Sequence, residues 1–151
     1  MRTVVQRVLN SRVSVNGKKP RSINYGLVLF VGFSSDDSEN DIKWSIKKIL
    51  QMKILSTKNK SGLFCIKETQ SEILVISQFT LLASLKKGKN PSWHKAASSE
   101  NAILLYNHFI NMLKRDYLSE KVLQGYFGDN MQVQLTNDGP FTILLDSKNK
   151  N

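Results

Sequence analysis

Residues Gly26 to Phe33 read Gly-Leu-Val-Leu-Phe-Val-Gly-Phe, an almost unbroken apolar run. Successive side chains of a strand point to opposite faces, so a strand can be apolar throughout only where both faces are covered. This run predicts a central strand with layers packed on either side of its sheet. Glu72 to Leu82 supplies a second strand of the same kind. It contains Ile73-Leu74-Val75-Ile76-Ser77-Gln78-Phe79-Thr80-Leu81 and turns polar near its end, where sheet proteins commonly place chemistry.

The remaining segments fit around these two. Thr3 to Leu9 and Arg12 to Val15 are valine-rich and partly alternating, with Asn16-Gly17 as a turn, and read as two opening strands. Ser38-Glu39-Asn40-Asp41 offers a capping hydroxyl and first-turn acids. Ile42, Ile46, Ile49 and Leu50 then recur at helical spacing, predicting a helix from Glu39 to Met52. Ser56 to Gly62 reads as a polar loop. Ser98 or Ser99 caps a second helix with Ala102, Leu105, Tyr106, Phe109, Ile110 and Leu113 on one face. Met131 to Leu135 and Phe141 to Leu145 read as closing strands interrupted by Thr136 to Pro140. The expected fold is α/β, a single layered domain with a mixed, partly barrel-like sheet and two main helices. Its order is two strands, strand and helix twice, then two or three strands. The domain is expected over 1–146, with a loose polar tail at 147–151. A chain of 151 residues is too short for a second core or a TIM barrel.

Lysine and arginine total 22 against 12 acids, a formal charge of +10. That balance favours polyanionic partners, and fits a merely solvated lysine surface equally well. Cys65 is the sole cysteine, which rules out an internal disulfide; within Leu63-Phe64-Cys65-Ile66 it is expected to be a buried, inert thiol. Two scattered histidines, His94 and His108, disfavour a metal site, and no cofactor is expected. His94 reads as structural and His108 as exposed on the second helix. Residues 1–7 lack a long apolar segment with a small-residue cleavage site, and no apolar run approaches the ~20 residues that span a bilayer. A cytoplasmic protein without membrane contact is expected.

Two segments carry candidate chemistry. Ser77-Gln78-Phe79-Thr80-Leu81 gathers two hydroxyls, an amide and consecutive backbone N–H groups, a set able to hold a carbonyl and stabilise its developing oxyanion. Taken alone it also fits a buried strand whose hydroxyls satisfy local backbone groups. Gly139-Pro140 follows Asn137-Asp138 and precedes a strand; glycine permits positive φ and proline a cis bond, and a plain tight turn is the competing reading.

In order, spacing and context these segments, together with Gln6-Arg7-Val8, Lys87-Gly88-Lys89-Asn90-Pro91, Phe127-Gly128 followed by Met131, and Asn137-Asp138-Gly139-Pro140-Phe141-Thr142, resemble the D-aminoacyl-tRNA deacylase family over nearly the whole chain. The resemblance implies a homodimer that hydrolyses the ester of D-aminoacyl-tRNA, and mischarged glycyl-tRNA, without metal or cofactor. It implies that Gly139 and a cis Pro140 reach into the other subunit's pocket and exclude L side chains. It places the pocket at Ser77, Gln78, Phe79 and Thr80, with the N–H groups of Phe79 and Thr80 as oxyanion donors and the terminal 2′-hydroxyl of the tRNA assisting. Arg7 and Asn137 would support the Gly-Pro segment. Phe127 and Met131 would border the terminal adenosine, with core packing as the alternative for both. Lys86, Lys87 and Lys89 would contact the tRNA backbone, or simply be solvated. The sequence departs from the family pattern at Phe141, commonly valine, and Trp93, usually phenylalanine. Two rival readings are a non-enzymatic tRNA- or RNA-binding module and an esterase with Thr80 as nucleophile; the latter lacks a base at recognisable spacing.

Overall fold

The computed structural model describes residues 1–86 and 88–150. Strand β1 (Arg2–Ser14) is followed by β2 (Arg21–Ile23), β3 (Gly26–Gly32), helix α1 (Glu39–Gln51), the hairpin β4 (Leu55–Thr57) and β5 (Lys60–Phe64), and the short helix α2 (Ile66–Thr69). Then come β6 (Glu72–Ser77), a 3₁₀ turn at Phe79–Leu82, helix α3 (Ser99–Asp116), a second 3₁₀ turn at Ser119–Lys121, β7 (Val122–Gln124) and β8 (Gln132–Asp146). No helix among the described residues is long and apolar enough to cross a membrane.

The main sheet is mixed, in the order β2-β1-β3-β6-β7, with β8 on the other side of β1. β1 runs antiparallel to β2, β3 and β8, and β3, β6 and β7 are mutually parallel. The two apolar runs lie at its centre for the reason their composition gives. Leu27, Leu29 and Val31 of β3, with Ile73 and Val75 of β6, face a core shared with α1 and α3. Val28, Leu74 and Ile76 face a second core that Val8, Val13 and Ile23 complete. The sheet curls until its first and last strands approach: Arg21 of β2 donates to the carbonyls of Gln124 (2.5 Å) and Gly125 (3.3 Å) at the end of β7. This makes the sheet partly barrel-like.

Both main helices start where their caps are written. A capping box joins Ser38 and Asp41 at α1, and the Ser98 hydroxyl accepts from the Asn101 N–H at α3. Elsewhere the structure departs from the expectations. The opening is one long strand rather than two, because β8 pairs along nearly its whole length on one side while β3 and β2 pair with its two halves on the other. The closing strands are likewise one strand, β8, which accommodates its interruption as a bulge. The loop expected at Ser56–Gly62 is the β4–β5 hairpin. Cys65 is not core: it is half-buried at the cap of α2, where its backbone N–H donates to Glu68 (2.8 Å). The tail is not loose at its start. Ser147 is buried and hydrogen-bonded to the amino group of Met1, and Lys148 pairs with Asp41 at 3.1 Å.

Candidate active site

Gln6 of β1 pairs with Thr142 of β8 and Val8 pairs with Asn137, so two steps along β1 face five along β8. The surplus, Asp138 to Phe141, leaves the ladder as an excursion with a cis Gly139-Pro140 bond at its crest. Arg7 lies beneath it, only 8% exposed. Its guanidinium donates to the carbonyls of Asp138 (3.2 Å), Gly139 (3.3 Å) and Ile54 (2.8 Å), pairs with the Asp138 carboxylate (2.8 Å), and stacks 4.4 Å from the centre of the Phe141 ring. The planar fork of arginine suits such multiple bonding, which a lysine ammonium cannot reproduce. Asn137 braces the near side: its side-chain oxygen accepts from Gln6 (3.2 Å) and from the Thr142 hydroxyl (3.3 Å). Gly139 and Pro140 are exposed, and they do not line the cavity formed by their own chain around Ser77 and Gln78.

That cavity, about 310 Å³, sits at the carboxyl ends of β3 and β6. Ser77, Gln78 and Phe79 form one wall, Val31, Gly32 and Phe33 another, with Ala97, Ala102 and Phe127 opposite. The expected strand through Leu82 stops at Ser77. The Gln78 N–H makes the last bond to β3 (Val31 O, 2.7 Å), and the backbone then turns into the 3₁₀ segment. Gly32 is what lets that turn settle: a Cβ there would lie 2.6 Å from the Gln78 carbonyl oxygen and 2.6 Å from a Leu82 methyl. Because the first donors of a helical turn have no partner within it, the N–H groups of Phe79 and Thr80 meet no acceptor among the described residues. The Thr80 hydroxyl is held by the Gln78 side-chain amide. Neither histidine nor carboxylate lines the cavity; His94 bonds Ser92 instead, at 3.2 Å. No cluster of His, Cys, Asp and Glu placed for a metal occurs among the described residues.

The other sequence candidates fall in different places. Phe127 is in the cavity wall, its ring 5.4 Å from that of Tyr106, whose buried hydroxyl bonds the Val75 carbonyl. Met131 does not line the cavity: its sulfur accepts from the Tyr126 N–H (3.2 Å) and packs against the second core. Lys86 and Lys89 are exposed on a loop pinned by the reciprocal Ser84–Ser92 bonds, and Lys87 lies outside the described residues. Trp93 meets the half-exposed Phe79 edge to face at 5.8 Å, on the cavity's outer side. Gly32, Phe33, Ala97 and Ala102 were missed by sequence reasoning, although the glycine interrupting an apolar run at Gly32 was a readable sign of close approach.

A family model described as D-Tyr-tRNA(Tyr) deacylase matches residues 4–146. The chain belongs to the D-aminoacyl-tRNA deacylase family. Among its relatives, a protein of Flavobacterium psychrophilum with that name is 43% identical over 150 residues, covering 99% of each chain. One of Dictyoglomus turgidum, also so named, is 45% identical over 148 residues, 98% of this chain and 94% of the relative. A solved structure described as a c-Myc DNA Unwinding Element Binding Protein superposes with a TM-score of 0.89 at 35% identity, covering 97% of this chain and 98% of the other. Another, of a probable eukaryotic D-amino acid tRNA deacylase, superposes at 0.83 with 18% identity over 95% and 97%, a likeness of fold. Deacylase family membership makes the chain an enzyme that hydrolyses an ester bond.

Proposed function

We propose that the protein is a cytoplasmic homodimer that hydrolyses the ester between a D-amino acid and the 3′ end of tRNA, sparing L-aminoacyl-tRNA. The observation that carries this reading is the cavity beside the N–H groups of Phe79 and Thr80, which meet no acceptor and have no base on the cavity wall among the described residues. Such a site polarises a carbonyl and orients it without supplying a nucleophile. Water adds to the ester carbonyl carbon, and the oxyanion is held by the two N–H groups. Collapse then breaks the bond to the terminal ribose oxygen, which takes up a proton. The neighbouring 2′-hydroxyl of the substrate assists, and Ser77 and Gln78 shape the pocket.

The exposed Gly139-Pro140 crest points to its use by another subunit. In the dimer the partner's Gly139 and Pro140 enter the cavity, their carbonyls accept from the substrate ammonium, and rigid backbone occupies the volume an L side chain needs. A filter of this kind has nothing to exclude in glycine, so glycyl-tRNA is also a substrate. Two features support association: among the described residues β8 has β1 as its sole strand partner, leaving its other edge unpaired, and its outward Leu144 is 62% exposed beside Val4. The decisive experiment is deacylation of matched D- and L-aminoacyl-tRNA by the purified protein. Loss of the D ester with the L ester spared is expected; equal rates, or no turnover of either, sink the reading. The second outcome would favour a nucleic-acid-binding role without turnover; the 35%-identical neighbour is described as a DNA unwinding element binding protein.

A further inference from the structure

A groove of about 610 Å³ runs along the seam where β2 meets β7, beneath the end of α3. Its walls carry Lys19, Arg21 and Lys114 beside Gln124 and Tyr126, and no carboxylate. Arg21 donates through one guanidinium nitrogen to both seam carbonyls and lies 4.0 Å over the Tyr126 ring, so it is fixed in place while its charge stays uncompensated by any acid among the described residues. Lys19 and Lys114 form no ion pair among the described residues, whereas Lys18 at the rim is neutralised by Asp129. A second basic cleft, on the helices, is different in kind: it contains Asp116, paired with Arg115 at 2.7 Å, and its Lys43 pairs with Glu39. The seam groove also adjoins the candidate active site along the chain. Gln124 and Tyr126 line the groove, and the next two residues, Phe127 and Gly128, line the cavity.

We propose that this groove holds the sugar-phosphate backbone of tRNA close to its 3′ end, as a contact distinct from the Lys86–Lys89 loop. The identity of the polyanion rests on the deacylase reading; the binding site itself does not. Three fixed or unpaired cations around one flat aromatic face match a strand of phosphates and sugars, which is recognised by charge and position rather than by sequence. A strand whose terminal nucleotide enters the cavity past Phe127 has its preceding phosphates within reach of Tyr126, Arg21 and Lys19. The arrangement orients the acceptor end before the ester meets Phe79 and Thr80.

The test is binding of deacylated tRNA by the Lys19→Glu/Lys114→Glu protein over a range of about 50 to 200 mM salt. Arg21 is left intact because it closes the sheet. Lys47→Glu/Lys67→Glu, in the helix-side cleft, makes the same change in net charge and serves as the comparison. The seam variant is expected to bind at least about tenfold more weakly, with its salt slope reduced by about two, while the comparison variant stays near wild type. An unchanged Tm in both variants excludes misfolding. Equal losses in the two variants, or an undiminished slope in the seam variant, overturn the proposal. Anionic phospholipid vesicles provide a further arm: loss of vesicle binding with tRNA binding intact assigns the groove to membranes and likewise overturns it. Deacylation of D-aminoacyl-tRNA by the wild-type protein is measured separately. Its absence refutes the deacylase reading and leaves the groove to be judged by tRNA binding alone.

Discussion

Thr80 and Arg7 show how differently two polar residues act near one site. The Thr80 hydroxyl is engaged by the Gln78 amide, and no His, Asp or Glu side chain bonds it, which on the proposed reading gives it a positioning role. Thr80→Ala is therefore expected to keep substantial deacylation, whereas tRNA ending in 2′-deoxyadenosine is cleaved orders of magnitude more slowly by the wild-type protein. Single-turnover rates for both decide it, and a trapped acyl-Thr80 species would falsify the substrate-assisted scheme. Arg7 works through others: it touches neither cavity nor reacting atoms and instead fixes the Asp138 and Gly139 carbonyls from below. Lysine in its place leaves buried acceptors unmet, at about 1–3 kcal/mol. Arg7→Lys should lower the D-over-L ratio of kcat/KM more than it lowers binding of free tRNA; an unchanged ratio would remove Arg7 from the filter. Sequence reasoning found both residues because their motifs are local. It had no means of seeing that Phe141, a departure from the family pattern, supplies the ring on which Arg7 stacks, since that contact depends on the shape of the excursion.

At the scale of elements, periodicity identified what composition can specify and missed what pairing decides. The Gly26–Phe33 and Ile73–Ser77 runs lie at the sheet centre because no other position covers both faces. The hairpin at Leu55–Phe64 was illegible because its second strand, Lys60–Phe64, is mostly exposed and carries no alternating apolar signal. The cavity walls were legible on one side alone. Ser77 to Phe79 announce themselves, while Ala97, Ala102 and Phe33 become neighbours through the crossover into α3. If the crest of β8 acts in a second subunit, two defective chains should complement each other. A subunit with Gly32→Val, which displaces the Phe79 turn, mixed with a subunit with Gly139→Val/Pro140→Ala, should yield hybrid dimers with one intact composite site. Activity or discrimination that remains absent in verified hybrids counts against action in trans.

For the molecule as a whole, one cluster of depressed carboxyls lies outside the cavity, where the two ends of the chain meet. Burial pushes the Asp41 carboxyl up, but bonds from the Ser38 backbone, Ser147, the Ser38 hydroxyl and Lys148 outweigh it and hold the group below the usual carboxylate range. Asp146 is likewise depressed, burial opposing and the Arg2 guanidinium prevailing. A carboxyl depressed in the folded state contributes its full stabilisation above the unfolded value of about 4 and loses it as pH falls towards the folded value. Urea midpoints should therefore fall as the pH is lowered from about 5 to about 3. Asp41→Asn should flatten that dependence, and an equally steep profile in the variant would show that the cluster contributes nothing. Net charge suggested a nucleic-acid partner from the start, yet it could not say which lysines matter, because an unpaired cation differs from a neutralised one only in three dimensions.

The bulge in β8 carries one further consequence. Beyond Asn137 the ladder slips once more, Asn10 facing Thr136, so from Gln6 to Asn10 four residue steps on β1 meet six on β8. The surplus is even, and even-numbered residues face outward both before and after the crest: Gln132, Gln134 and Thr136 on one side, Thr142 and Leu144 on the other. A strand's faces alternate at every residue, so losing or gaining one residue in the crest without a compensating bulge would turn one half of β8 inside out, sending either Val133 and Leu135 or Ile143 and Leu145 to solvent. A single-residue insertion or deletion in this segment therefore needs a compensating slip nearby, as the one between Val8 and Asn10 already compensates the crest, and the reach of the Gly-Pro tip is tied to that slip.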